Sequence, residues 1–233
     1  MMNIKVFCDS AEHKIIKKFS KNNLVKGFTT NPSLMRNAGA KNYKQYSLRL
    51  LKSSNNKPIS FEVFSDNFEH MLKQANKINS WGKNVYVKIP IVNSKGIFMG
   101  KIINELNNKK IKLNITAVYS SNQTRKILKS INKKTKVIIS IFAGRAADTG
   151  KDPVPEFIKS ISMAKKFKNV EILWASVREP YNYLQAKQLG CHIITIPPSS
   201  IEKIEKFGKS FEELTRETVK AFLIDSRKSK FKI

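Results

Sequence analysis

The sequence predicts a (β/α)8 TIM barrel with an additional C-terminal helix. Three observations predict it. First, eight short runs rich in Val, Ile and Phe recur along the chain, at residues 4–8, 25–29, 59–64, 85–91, 113–118, 136–142, 171–177 and 192–196. Such residues suit a pleated, buried strand. Second, longer amphipathic runs separate them, at 12–19, 32–51, 68–80, 96–107, 122–131, 155–167, 181–188 and 200–207. Strict alternation of strand and helix implies parallel pairing through right-handed crossovers. Third, eight such repeats in 233 residues fit a closed barrel better than an open sheet. A final helix over about 211–225 precedes a basic tail at 226–233, and no Pro/Gly/Ser-rich linker divides residues 1–233, which read as one domain.

Hydrophobic residues make up 41% of the chain, enough to fill a large core. No apolar run approaches the roughly 20 residues needed to cross a bilayer. The opening MMNIKVFCDSAEHKI carries Asp9 and Glu12 early, so a signal peptide is not expected. Cys8 and Cys191 fall in expected strands, which argues against a disulfide framework and for a reducing cytoplasm. The net charge of +27 would attract anions. Its lysines, such as Lys17, Lys18, Lys73, Lys133, Lys134 and Lys165, are scattered in or beside helical segments, as on a solvated outer helix ring. Neither a membrane nor a specific nucleic-acid partner is expected from that scatter.

The strands carry polar residues where a barrel interior should be apolar. In VYVKIPI, Lys88 shares parity with Tyr86 and Pro90. A lysine buried charged among apolar neighbours is costly, and an uncharged amine is a nucleophile for carbonyls. Taken alone, Lys88 reads more readily as an edge-strand residue facing solvent. The other strands change that balance. Strand one ends at Asp9, and strand two ends in GFTTNPS with Thr29 and Asn31. Strand three carries Glu62, strand five Asn114 and Thr116, strand six Ser140 and Phe142, and strand seven Ser176 and Arg178. Arg145 follows strand six in a loop. Barrel active sites are assembled from several strands at their C-terminal ends. One amine, two carboxylates, several hydroxyls and amides and two guanidinium groups suit a sugar phosphate. Glu62, acting through a water held by Thr116, can serve imine formation at Lys88. Asp9 can take a proton from a hydroxyl, Arg145 and Arg178 can hold a phosphate, and Asn31 and Asn114 can bind carbinol oxygens.

The segments FCDSA (7–11), GFTTNPSL (27–34), SFEVFSD (60–66), VYVKIP (85–90), LNITAVYSSNQ (113–123), ISIFAGRAADTGKD (139–152), WASVR (174–178) and GCHIITIPPS (190–199) resemble the transaldolase family, including its short transaldolase-like branch and the fructose-6-phosphate aldolases. The resemblance implies a class I (Schiff-base) transaldolase of the pentose phosphate pathway, moving a dihydroxyacetone unit from a ketose phosphate to an aldose phosphate. By resemblance Lys88 forms the Schiff base, Asp9 transfers protons, and Glu62 and Thr116 position the catalytic water. Thr29, Asn31, Asn114, Ser140 and Ser176 then line the substrate, and Arg145 and Arg178 bind its phosphate. No metal or organic cofactor is implied. A ring-shaped homo-oligomer, often a decamer with exchanged C-terminal helices, is implied. The family's transaldolases carry Glu and Phe at the positions of Glu62 and Phe142, and its fructose-6-phosphate aldolases Gln and Tyr. Release of free dihydroxyacetone is thus the alternative. The run AADTGKD after Arg145, Trp174 and the high charge depart from the family pattern. Two further alternatives are a deoxyribose-phosphate type of Schiff-base barrel, which lacks its expected second lysine here, and a non-catalytic basic barrel binding RNA. His13, His70 and His192 offer no metal-ligand spacing.

Overall fold

The computed structural model describes residues 4–230. Its strands are β1 (Lys5–Asp9), β2 (Val25–Thr29), β3 (Ile59–Glu62), β4 (Val85–Pro90), β5 (Leu113–Val118), β6 (Val137–Phe142), β7 (Val170–Ala175) and β8 (Ile193–Ile196). They pair in parallel in sequence order, and β8 returns to β1 to close the barrel. Closure leaves no edge strand to be protected.

Alternation along the strands divides the apolar residues into two clusters. Outward residues such as Val6, Phe28, Val87, Ile115 and Ile172 join the main core beneath the helices. Inward residues Phe7, Tyr86, Ile138, Leu173, Ala175 and Ile193 form a separate plug inside the barrel. The plug sets a requirement on β2, because a Cβ on Gly27 would lie 2.6 Å from Cζ of Phe7. Only glycine leaves room for that ring.

The helices are α1 (His13–Ser20), α2 (Pro32–Asn37), α3 (Tyr43–Ser53), α4 (Phe68–Asn79), α5 (Gly100–Asn108), α6 (Ser121–Ser130), α7 (Ala143–Ala147), α8 (Val154–Ala164), α9 (Asn182–Gln188), α10 (Pro198–Ile204) and α11 (Phe211–Ser229). Four differ from the sequence-based expectation. The run 32–51 is two helices. Gly39, at φ 79°, ends α2 in the left-handed conformation, and Asn42 caps α3 by accepting from the Gln45 amide. The helix expected from 96 begins at Gly100, since Val92 and Phe98 first form an antiparallel bridge around Gly96. The stretch holding Arg145, expected as loop, is the short helix α7. α11 runs past 225 to Ser229, with a Ser210/Glu213 capping box at one end and Arg227 and Lys228 complementing the dipole at the other.

No residue of α11 is buried, and Phe211 is 88% exposed. Of the expected tail, residues 231–233 lie outside the described residues. Among the described residues, no helix is long and apolar enough to cross a membrane. Cys191 lies in the turn before β8 rather than in a strand. It and Cys8 are unpaired and buried, and burial pushes both thiols up to about 12.

Candidate active site

A cavity of about 270 Å³ opens at the C-terminal ends of the strands. Asp9, Thr29, Asn31, Lys88, Asn114, Thr116, Ser140, Phe142, Arg145, Ser176 and Arg178 all line it. Glu62 sits beside the cavity, on Lys88.

The β3–β4 register aligns Glu62 with Lys88. Parity turns both inward, and Lys88 Nζ lies 3.1 Å from Glu62 Oε2 while donating to the Thr30 carbonyl, also at 3.1 Å. Only 7% of Lys88 is exposed. It is therefore an interior residue and not the solvent-facing edge lysine that its own segment suggested, since a closed barrel has no edge.

Asp9 ends β1 on the facing side. Its Oδ1 accepts from Thr29 Oγ1 at 2.6 Å, and Thr29 Oγ1 lies 2.5 Å from Thr195 Oγ1. With the Thr29 proton committed to the carboxylate, Thr195 donates to Thr29. Burial raises the Asp9 pKa, opposed by the nearby Lys88 charge and by the Thr29 hydrogen bond. Such a carboxylate is a better base than an exposed one.

A second polar chain crosses β3, β5 and β6. Asn114 Nδ2 donates to Ser60 Oγ at 3.0 Å, and Asn114 Oδ1 accepts from Ser140 Oγ at 2.6 Å. The amide plane is thereby fixed from both sides. Two residues on, Thr116 Oγ1 is buried with no hydrogen-bond partner among the described residues. Buried hydroxyls are rarely left so, which makes this oxygen available to a water or a ligand. Asn31 caps α2 by accepting from Leu34 N at 2.9 Å, leaving its amide nitrogen unused by the cap.

Ser176 reaches the cavity by a route that strand parity does not provide. It shares parity with Trp174, which faces outward and stacks on Phe157 of α8 with centroids 4.5 Å apart. β7 stops at Ala175, and Ser176 turns with φ 63°. That left-handed residue, uncommon outside glycine, turns the chain so that Ala175 and Ser176 both line the cavity. Gly144 permits the close packing there, because a Cβ on it would lie 1.7 Å from the Ser176 carbonyl oxygen. Trp174 itself touches the outer core and not the cavity.

The two arginines at the mouth differ. Arg178 is held by Asp148 of the AADTGKD run, its Nε donating to Oδ1 at 2.9 Å and its Nη2 to Oδ2 at 2.5 Å. The pair pushes the Asp148 carboxyl down and the guanidinium up. Arg145 rides over the Phe142 ring, 5.6 Å from its centroid.

Sequence reasoning missed Ser60 and Thr195. Thr195 shares parity with the plug residue Ile193, and that was the available signal. A single hydroxyl inside IITI carries little weight until β8 is seen closing against β1. Among the described residues, no group of three or more His, Cys, Asp or Glu side chains is placed to hold a metal ion.

The family model for transaldolase/fructose-6-phosphate aldolase matches residues 6–233. The chain belongs to this family. A "Probable transaldolase" of Nitrosopumilus maritimus is 32% identical over 228 residues, covering 92% of this chain and 97% of that one. A "Probable transaldolase" of Thermoplasma volcanium is 35% identical over 217 residues, covering 91% and 93%. A mandelate oxidase structure superposes with a TM-score of 0.56 at 8% identity, over 85% of this chain and 68% of that one, a likeness of fold alone. Family membership makes the chain an enzyme of the transaldolase or aldolase type.

Proposed function

We propose that this transaldolase-family enzyme works through a Schiff base on Lys88 and transfers a dihydroxyacetone unit between phosphorylated sugars of the pentose phosphate pathway. The observation that carries the reading is a buried lysine in ion-pair contact with one carboxylate, Glu62, at the floor of a cavity that a second carboxylate, Asp9, also lines.

The steps follow from those positions. Lys88 must shed its ammonium proton before it can attack C2 of the ketose, and Glu62 at 3.1 Å is placed to take it. Glu62 then returns protons through a water on Thr116 as the carbinolamine loses its hydroxyl. Asp9 takes the proton of the C4 hydroxyl. The C3–C4 bond breaks, its electrons move into the iminium to give an enamine on Lys88, and an aldose phosphate leaves. An acceptor aldehyde runs the same steps in reverse. Phe142 lines the cavity and offers no proton, so the enamine waits for an acceptor instead of being released by water. Arg145, with Arg178 once drawn from Asp148, receives the phosphate, and Thr29, Asn31, Asn114, Ser140 and Ser176 hold the hydroxyls. The reaction needs neither metal nor organic cofactor. Two unpaired buried thiols fit a reducing cytoplasm, and the exposed apolar residues of α11, such as Phe211 and Phe222, support homo-oligomer assembly.

Borohydride reduction with fructose 6-phosphate should leave a sugar-derived mass on the peptide containing Lys88. Lys88→Met should abolish labelling and lower turnover by at least ~10⁴-fold, as loss of a covalent nucleophile does. Labelling at another lysine, or activity surviving the substitution, overturns the assignment. Equal rates of dihydroxyacetone release and of transfer to erythrose 4-phosphate would make the enzyme an aldolase instead.

A further inference from the structure

In a (β/α)8 barrel every helix-to-strand loop emerges on one face, opposite the site. Lysines that are scattered along the sequence are therefore brought together there. One such place is a cleft of about 600 Å³ between the loops entering β5 and β6, lined by Asn108, Lys110, Lys112, Asn132, Lys133, Lys134, Thr135 and Lys136. Five of these eight are lysines, and none is acidic. The neighbouring carboxylates are already engaged, Glu105 by Lys109 and Glu171 by Lys5.

We infer that this cleft binds the phosphate backbone of a nucleic acid, a function separate from the sugar-phosphate chemistry at the opposite face. Crowded like charges with no acidic partner are relieved by a polyanion. Burial, and then the neighbouring Lys136, lowers the Lys112 pKa. Lys112 is held over the Tyr86 ring at 5.2 Å and donates to the Lys83 carbonyl. The lining favours an extended anion over a compact one, because its five lysines come from two separate loops, Lys110 and Lys112 from one and Lys133, Lys134 and Lys136 from the other. It favours nucleic acid over membrane, because none of the large exposed apolar side chains lies in the loops 108–113 or 130–137. Lysine and asparagine without arginine supply point charges and amides for phosphates, not the bidentate forks that read guanine edges. The binding is sequence-independent and salt-sensitive.

The test is fluorescence anisotropy of the intact protein with a labelled 20-nucleotide RNA across a salt series. If all five lysines meet phosphates, the affinity for a single strand falls ~100-fold between 50 and 200 mM salt. The variant Lys110→Gln/Lys112→Gln/Lys133→Gln/Lys134→Gln/Lys136→Gln should bind at least ~10-fold more weakly with a flatter salt slope. A control with the same charge removed, Lys14→Gln/Lys17→Gln/Lys73→Gln/Lys77→Gln/Lys101→Gln, should stay within about twofold, since nearest-cleft charges dominate at physiological screening. The Lys112 stem packs on Tyr86, so a four-site variant keeping Lys112 guards against misfolding and should show the same direction. Equal losses in cleft and control variants would reduce the effect to net charge and overturn the proposal. So would absence of RNA binding at 100 mM salt, or binding to vesicles containing phosphatidylserine but not to RNA. Because the readout is binding, it stands or falls independently of the reaction proposed for Lys88.

Discussion

Two lysine–glutamate pairs occupy opposite ends of one barrel interior. At the C-terminal end, Lys88 meets Glu62 at 3.1 Å with side chains 9% and 18% exposed. At the N-terminal end, Lys5 meets Glu171 at 2.7 Å with 52% and 25% exposed. The chemistry is the same and the second pair is shorter, yet only the first lies at the candidate active site, where catalysis is proposed. The apolar plug of Phe7, Tyr86, Ile138, Leu173, Ala175 and Ile193 separates the two ends. Above it, Lys88 and Glu62 are largely buried, and the charges act more strongly on each other. Below it, solvent screens Lys5 and Glu171. Burial, not distance, distinguishes the two pairs.

The sharpest way to break that comparison is Asp9→Asn. Activity should fall ~10²–10⁴-fold, as expected when a positioned general base is lost, while stability at neutral pH should hold or rise. The sign follows from the raised pKa of Asp9. The folded state binds this proton more tightly than the unfolded state does, so ionising Asp9 weakens the fold as pH rises through its elevated value. The variant should match the parent in acid, where Asp9 is protonated in both states, and exceed it increasingly above that range. Thermal melts across pH check this, and a variant less stable at every pH would show that Asp9 is structural.

Next come the arginines at the mouth. Removing a charge-assisted phosphate contact costs roughly 2–3 kcal/mol, or about 30–150-fold in KM. Arg145→Ala should show this for phosphorylated substrates and spare free fructose. Arg178→Ala should show less, because part of its contact energy is already spent on Asp148. Equal losses with both kinds of substrate would make the arginines structural.

Gly27→Ala tests the plug. A new Cβ 2.6 Å from the Phe7 ring should cost about 1–3 kcal/mol of stability through overpacking. Turnover per folded molecule should change little, read by denaturant titration beside an active-site titration. Smallest of all, Lys5→Met should change stability by less than ~1 kcal/mol, as exposed pairs do, and leave turnover unchanged. A large loss of turnover would mean that the two ends of the barrel are coupled after all.

Much of this was legible in the sequence. The alternation of strand and helix requires only local patterning, and the run of eight repeats gave the barrel. Parity placed Lys88, Glu62, Asn114, Thr116 and Ser140 on inward faces, because a strand of regular period fixes which side each residue takes. Ser176 escaped that rule. It lines the cavity only because the chain turns left-handed there, a conformation no serine announces in advance. Thr195 was invisible for a different reason, as its partner Thr29 lies 166 positions away and meets it only when β8 closes on β1. The lysines scattered along the sequence likewise gave no hint of a cleft.

The sequence by itself determined the fold and the family and supplied the candidate reactive groups, since these rest on residue type, order and period. Tertiary structure alone decided that Arg178 is held by Asp148, that Trp174 lies outside the cavity, and that lysines from separate loops share one cleft. Each depends on through-space distance between segments far apart in the chain, which barrel closure sets and no local pattern encodes.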